Sequence, residues 1–207
     1  ALGTLDNFPL NFKVGNQKAG RIDLNGNAFF GRYAGQDNSG TNNTYIGSNA
    51  VSANNSSGNN NTAIGSYSLY NNISGSFNTA VGFESLYNNF YGAFNTAVGT
   101  GSLKNNYDGL NNTAAGYFSL YSNTSGANNT ALGYYSLTHN TTSGGNIAIG
   151  DNALYSQSFT NSGVSYGTEN VAIGNSALYN NNPTNSANGI QNTAIGNSAL
   201  NLNSIGF

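Results

Sequence analysis

The sequence predicts an all-β chain wound as a parallel β-solenoid, a β-roll of about ten coils of 17 residues. Three observations predict it. First, a five-residue phrase recurs down the chain. It reads N-T-A-I-G at 61–65 and 192–196, N-T-A-V-G at 78–82 and 95–99, N-T-A-A-G at 112–116, N-T-A-L-G at 129–133, N-I-A-I-G at 146–150 and N-V-A-I-G at 170–174, with looser copies at 27–31 and 43–47. Second, the last glycines of these phrases stand 16, 18, 17, 17, 17, 17, 17, 24 and 22 residues apart. A step this regular means equivalent coils, each stacked on the one before. Third, Gly and Asn recur every few residues, which would break helices, and the unit is shorter than the repeats that stack helices.

In chain order, residues 1–26 carry no copy of the phrase and read as a lead-in or edge-covering segment, and 27–207 read as the solenoid. Counting from the last glycine of the phrase, Asn holds −4 in all ten copies, Thr −3 in seven, Ala −2 in eight, and Ile, Val or Leu usually −1. The phrase is a short strand by composition. Alternation puts Thr and Ile/Val on one face and Ala and Gly on the other. A face so small admits a second backbone at close range and is expected to lock chains together. The Thr and Ile/Val face is expected to be the buried one. Leu at +4 in the last eight copies, inside an [SA]-L-Y cluster, predicts a second strand per coil. The N-N-x-S-G stretches, such as 71–75, are turn chemistry. The step fails late, where 156–169 and 180–191 replace the usual turn, and these departures are the first places to look for an outside contact. Ten coils at about 4.8 Å each give a body of roughly 48 Å. Its core is thin, so a homo-oligomer is expected.

Composition narrows the function. Charged residues are 6% and the net charge is −2, which argues against nucleic acid, whose phosphates need clustered Lys and Arg. Four of the five basic residues, Lys13, Lys18, Arg21 and Arg32, lie in the first 32 positions and read as a solvated end-segment. The chain has no cysteine, so neither disulfide nor thiolate chemistry is available. No apolar run approaches the roughly 18 residues of a membrane span. The start shows no signal-peptide pattern, and the first residue, Ala1, leads us to expect a processed product or an excised fragment.

No catalytic, cofactor-binding or metal-binding residue is legible, and we expect no enzyme. His139 sits at a turn position held by Asn in other copies, and Asp6, Asp23, Asp37, Glu84, Asp108, Asp151 and Glu169 show no in-phase pair. Two rows remain. The −4 residues Asn61, Asn78, Asn95, Asn112, Asn129, Asn146, Asn170 and Asn192 read as a stacked amide ladder, with a turn-capping Asx bond as the alternative. The +5 residues Tyr70, Tyr87, Tyr121, Tyr155 and Tyr179 read as receptor or interface contacts. They suit a seam between chains, and also a platform for sugar rings. The Thr row raises ice binding, which burial of that face by Ile/Val would oppose.

The N-I-A-I-G and N-V-A-I-G phrases, each followed by N-[AS]-[AL], resemble the head repeats of trimeric autotransporter adhesins. The longer unit N-T-A-I-G-x-x-S-L-Y-N-N-x-S-G is similar to repeats of bacteriophage tail fibres and bacterial surface proteins, in which a segment like F-P-L-N-F-K-V-G-N-Q-K-A-G-R-I (8–22) leads into the repeats. The resemblance implies a left-handed homotrimeric β-roll, a location outside the cell, on its surface or on a virion, and a cleaved C-terminal chaperone. We therefore expect a non-enzymatic fibre or adhesin, shaft or head, with itself as partner and a host-surface glycan or receptor as target. The alternatives are a filament whose lead-in covers a neighbour's edge, S-I-G-F at 204–207 starting a further phrase, and a glycan-binding module.

Overall fold

The computed structural model describes residues 6–52, 56–157, 166–183, 185 and 188–203. The chain is a parallel β-solenoid. Its strands are β1 (Leu10–Val14), β2 (Gln17–Ile22), β3 (Ala28–Phe30), β4 (Thr44–Ile46), β5 (Thr62–Ile64), β6 (Thr79–Val81), β7 (Thr96–Val98), β8 (Thr113–Ala115), β9 (Thr130–Leu132), β10 (Ser143–Gly144), β11 (Ile147–Ile149), β12 (Tyr166–Gly167), β13 (Val171–Ile173) and β14 (Thr193–Ile195). One sheet runs β1 to β9, then β11, β13 and β14, and β10 pairs with β12 beside it. From β3 on, each strand lies parallel to its copy in the next coil. Thr79 stands opposite Thr96 and Ala80 opposite Ala97.

Glycine lets the coils approach. Gly82 has φ +133°, a conformation side chains rarely adopt, and a β-carbon there would stand 2.6 Å from the Gly99 carbonyl oxygen. The same geometry recurs from Gly31 to Gly174.

The two faces of the strand are used the opposite way from the expectation. The small-residue face points into its own coil: Ala63, Ala80, Ala97, Ala114, Ala131, Ala148 and Ala172 are fully buried within the single chain. The close backbone approach it permits is therefore between coils, and this face is not available to lock chains together. Thr and Ile/Val point outward, half-buried or exposed along the whole sheet. A coil this narrow has room for a methyl group at −2, and larger groups must face out. Only the first two coils differ. Phe29 and Tyr45 take the −2 position and stack with centroids 4.7 Å apart, fully buried.

The second strand per coil does not form. The [SA]-L-Y segment is a turn, with Tyr67 just before it at φ 57° and Leu69 within it at φ 51°, and left-handed leucines recur from Leu86 to Leu200. An extended strand cannot contain such residues. The segment still stacks: the Leu69 N–H donates to the Ser85 carbonyl (2.9 Å) and the Asn71 N–H to the Tyr87 carbonyl (2.8 Å). Leu69, Leu86, Leu103, Leu120, Leu137, Leu154 and Leu178 fill the core opposite the alanines.

The lead-in segment forms the antiparallel β1–β2 hairpin, and β2 pairs antiparallel with β3. Within this single chain it covers the edge of its own first coil.

Candidate functional site

The most ordered polar feature is the amide row at −4. The Asn78 N–H and Nδ2 both donate to Asn61 Oδ1 (2.9 and 3.2 Å), and Asn78 Nδ2 also donates to the Gly92 carbonyl (2.9 Å). The pattern passes through Asn95, Asn112, Asn129 and Asn146. It crosses both long coils, with the Asn170 N–H on Asn146 Oδ1 (3.2 Å) and the Asn192 N–H on Asn170 Oδ1 (2.9 Å). These side chains are buried, so every amide must be paired.

A second amide row, at +7, escaped the sequence reading. Asn72, Asn89, Asn106, Asn123 and Asn140 are also buried, and from Asn89 on each Nδ2 donates to the Oδ1 one coil earlier, as Asn106 does to Asn89 (2.7 Å). The rows converge. The Gly75 carbonyl accepts from Asn61 and from Asn72, both at 2.9 Å. A β-carbon on Gly75 would meet the Gly92 carbonyl oxygen at 2.3 Å and the Asn72 amide at 2.5 Å, which explains the recurrent Gly at −7. The in-phase Asn of N-N-x-S-G was the available signal; its match to turn chemistry hid it.

The +5 tyrosines come together only in pairs. Tyr70 and Tyr87 stack at 5.0 Å and Tyr155 and Tyr179 at 4.9 Å. Between the pairs, Lys104 and Thr138 occupy the position. Lys104 Nζ lies 5.5 Å from the Tyr87 ring and 5.8 Å from the Tyr121 ring, and pairs with Glu84 at 2.7 Å. Burial pulls the Lys104 amine down, but the Glu84 hydrogen bond with Tyr121 and Tyr87 outweighs it and the pKa is raised. The paired rings face each other along the axis and offer edges to a ligand. That geometry works against a sugar platform at these pairs.

More open rings lie elsewhere. Phe83, Tyr117 and Tyr134 at +1 are exposed, as are Tyr91, Tyr107 and the stacked pair Phe77 and Phe94. The last two are 53% and 58% exposed and left-handed (φ 59° and 58°), where Asn60, Asn111 and Asn128 stand in other coils. A bulky residue at such a φ is an outlier, whereas Asn tolerates it. His139 is exposed and sets its ring edge-on to Tyr155 at 4.7 Å.

Of the late insertions, 158–165, 184, 186 and 187 lie outside the described residues, as does S-I-G-F at 204–207. Gln157 takes the +7 amide place, where its Oε1 accepts from Asn181. A cavity of about 220 Å³ lies beside the first insertion, lined by Ala127, Asn128, Gly144, Gly145, Tyr166, Gly167 and Glu169. Burial pushes the Tyr166 phenol up to about 12. A larger cavity of about 430 Å³, lined by Val14, Gln17, Lys18, Ala19 and Arg32, lies under the hairpin. Among the described residues no group of His, Cys, Asp or Glu is placed to hold a metal ion, and no helix is long and apolar enough to cross a membrane. No protein family, curated protein or solved structure matches the chain.

Proposed function

We propose that the protein is a non-enzymatic structural element of an extracellular fibre or adhesin, and that its outward Thr and aliphatic face joins copies of the chain. One observation carries this reading: the face is uncharged and repeats in register over ten parallel strands. At its −1 positions Phe30, Ile46, Ile64, Val98 and Ile195, and at −3 Ile147, are each more than a third exposed. A row repeating at the coil spacing of about 4.8 Å is matched along its length by a partner of the same period, which an identical chain supplies. The resemblance to trimeric adhesin heads favours three chains. Sedimentation tests it. A discrete trimer that Val81→Lys and Val98→Lys convert to monomer supports the reading. Concentration-driven polymers favour the filament instead, and a wild-type monomer at high concentration sinks both.

The same face supports a second reading. Thr44, Thr62, Thr79, Thr96, Thr113 and Thr130 form six consecutive outward rungs, half-buried or exposed, so the full burial that would oppose ice binding is absent. A monomer that shows thermal hysteresis, lost in Thr96→Lys, would favour an ice-binding surface.

A further inference from the structure

The hairpin end concentrates the positive charge of a chain with few charges. Among the described residues the ion pairs are Arg21–Asp23 (3.0 Å) and Lys104–Glu84 (2.7 Å). Arg21 is spent twice, since its guanidinium also lies 4.9 Å from the Phe29 ring. Lys18 and Arg32 belong to neither pair, and both line the 430 Å³ cavity. Arg32 is held in place: its guanidinium lies over the Tyr33 ring at 4.7 Å and Nη2 donates to the Tyr33 hydroxyl at 3.1 Å. Lys18 is half-buried. Burial and then the like charge of Arg21 lower its pKa, only partly offset by Asp37 and Asp23. The cavity is thus lined by a half-buried ammonium and by a guanidinium held on its neighbour's ring, and among the described residues neither is ion-paired to a carboxylate.

The rest of the lining suits a small polar body. Gln17 offers an amide for hydroxyl groups, and Val14 and Ala19 offer an apolar wall. The volume falls within the range of about 300–1,000 Å³ usual for small-molecule clefts. We propose that this cavity binds an acidic sugar unit, its carboxylate held between Lys18 and Arg32 and its ring against Val14 and Ala19. A guanidinium fork and an ammonium together match a carboxylate's two oxygens. The proposal is independent of the outward Thr face, so it survives if the chains do not associate.

Calorimetric titration of the whole chain with glucuronic acid, glucose and inorganic phosphate tests it. We expect glucuronic acid to bind, glucose not to, and binding to weaken with added salt. Lys18→Gln and Arg32→Gln should each weaken binding by about tenfold with an unchanged melting temperature, and Lys18→Arg should retain it. Equal binding of glucose, phosphate binding as tight as glucuronic acid, binding unchanged in both Gln variants, or no binding by any probe would each overturn the proposal.

Discussion

At the scale of single residues, coil stacking rests on positions that tolerate almost nothing else. Gly99 combines φ +122° with a β-carbon position 2.6 Å from the Gly116 carbonyl oxygen. Gly99→Ala should therefore cost more than about 2 kcal/mol in chemical denaturation, adding strain to a backbone clash. Asn95 makes three donor contacts and its Oδ1 accepts two more, all buried. Asn95→Ala should cost about 2–4 kcal/mol, because it removes three buried side-chain hydrogen bonds and leaves the buried Asn112 N–H without its acceptor, whereas Asn71→Ala, on the half-buried row at +6, should cost under about 1 kcal/mol. The ladder at −4 was legible because Asn never varies there. The left-handed Leu at +4 was not, since nothing in a leucine announces a positive φ.

Tyr45 sets a pH limit at the same scale. Burial raises its phenol well above the ordinary value of 10.0, with the nearby polar Asn61 and Ser56 opposing more weakly. The folded state then holds a proton that the unfolded state releases, so this contribution is intact below pH 10 and lost as pH climbs above it. Lys18 acts the other way, because its lowered pKa penalises the folded state until alkaline pH removes the charge. We expect melting temperature to fall above pH 10, and Tyr45→Phe to fall less steeply.

At the scale of elements, each coil is one three-residue strand and turns held in register by amides. The Ala–Leu pairing makes the core: Ala97 and Leu103 are both fully buried. Leu103→Ala should cost about 2–5 kcal/mol, at the upper end if the narrow coil cannot collapse around the cavity. The tyrosine stack is a looser device. Lys104 interrupts it and restores contact through its charge, so Lys104→Tyr should leave stability within about 1 kcal/mol of wild type while removing the half-exposed Glu84 pair. Calorimetric melting of both variants distinguishes core from surface.

At the scale of the molecule, the ends differ. The β1–β2 hairpin pairs with β3 and closes one edge of the stack, and Asp23 and Arg21 anchor its base. A chain beginning at residue 25 should expose β3 and self-associate with concentration in sedimentation, while the full chain should not gain such polymers through that edge.

The sequence by itself determined the solenoid, its step and the strand in each coil. Periodicity of 17 residues is a property of the chain, and stacking equivalent coils is how a chain with that periodicity buries its apolar positions. Alternation also separated the two faces of the T-A-I strand. Which face turns inward was decided only by the tertiary structure, because inward and outward depend on the width of the closed coil and not on the strand. That one decision spends Ala80 and Ala97 inside their own chain and leaves Thr79, Val81, Thr96 and Val98 on its outer surface.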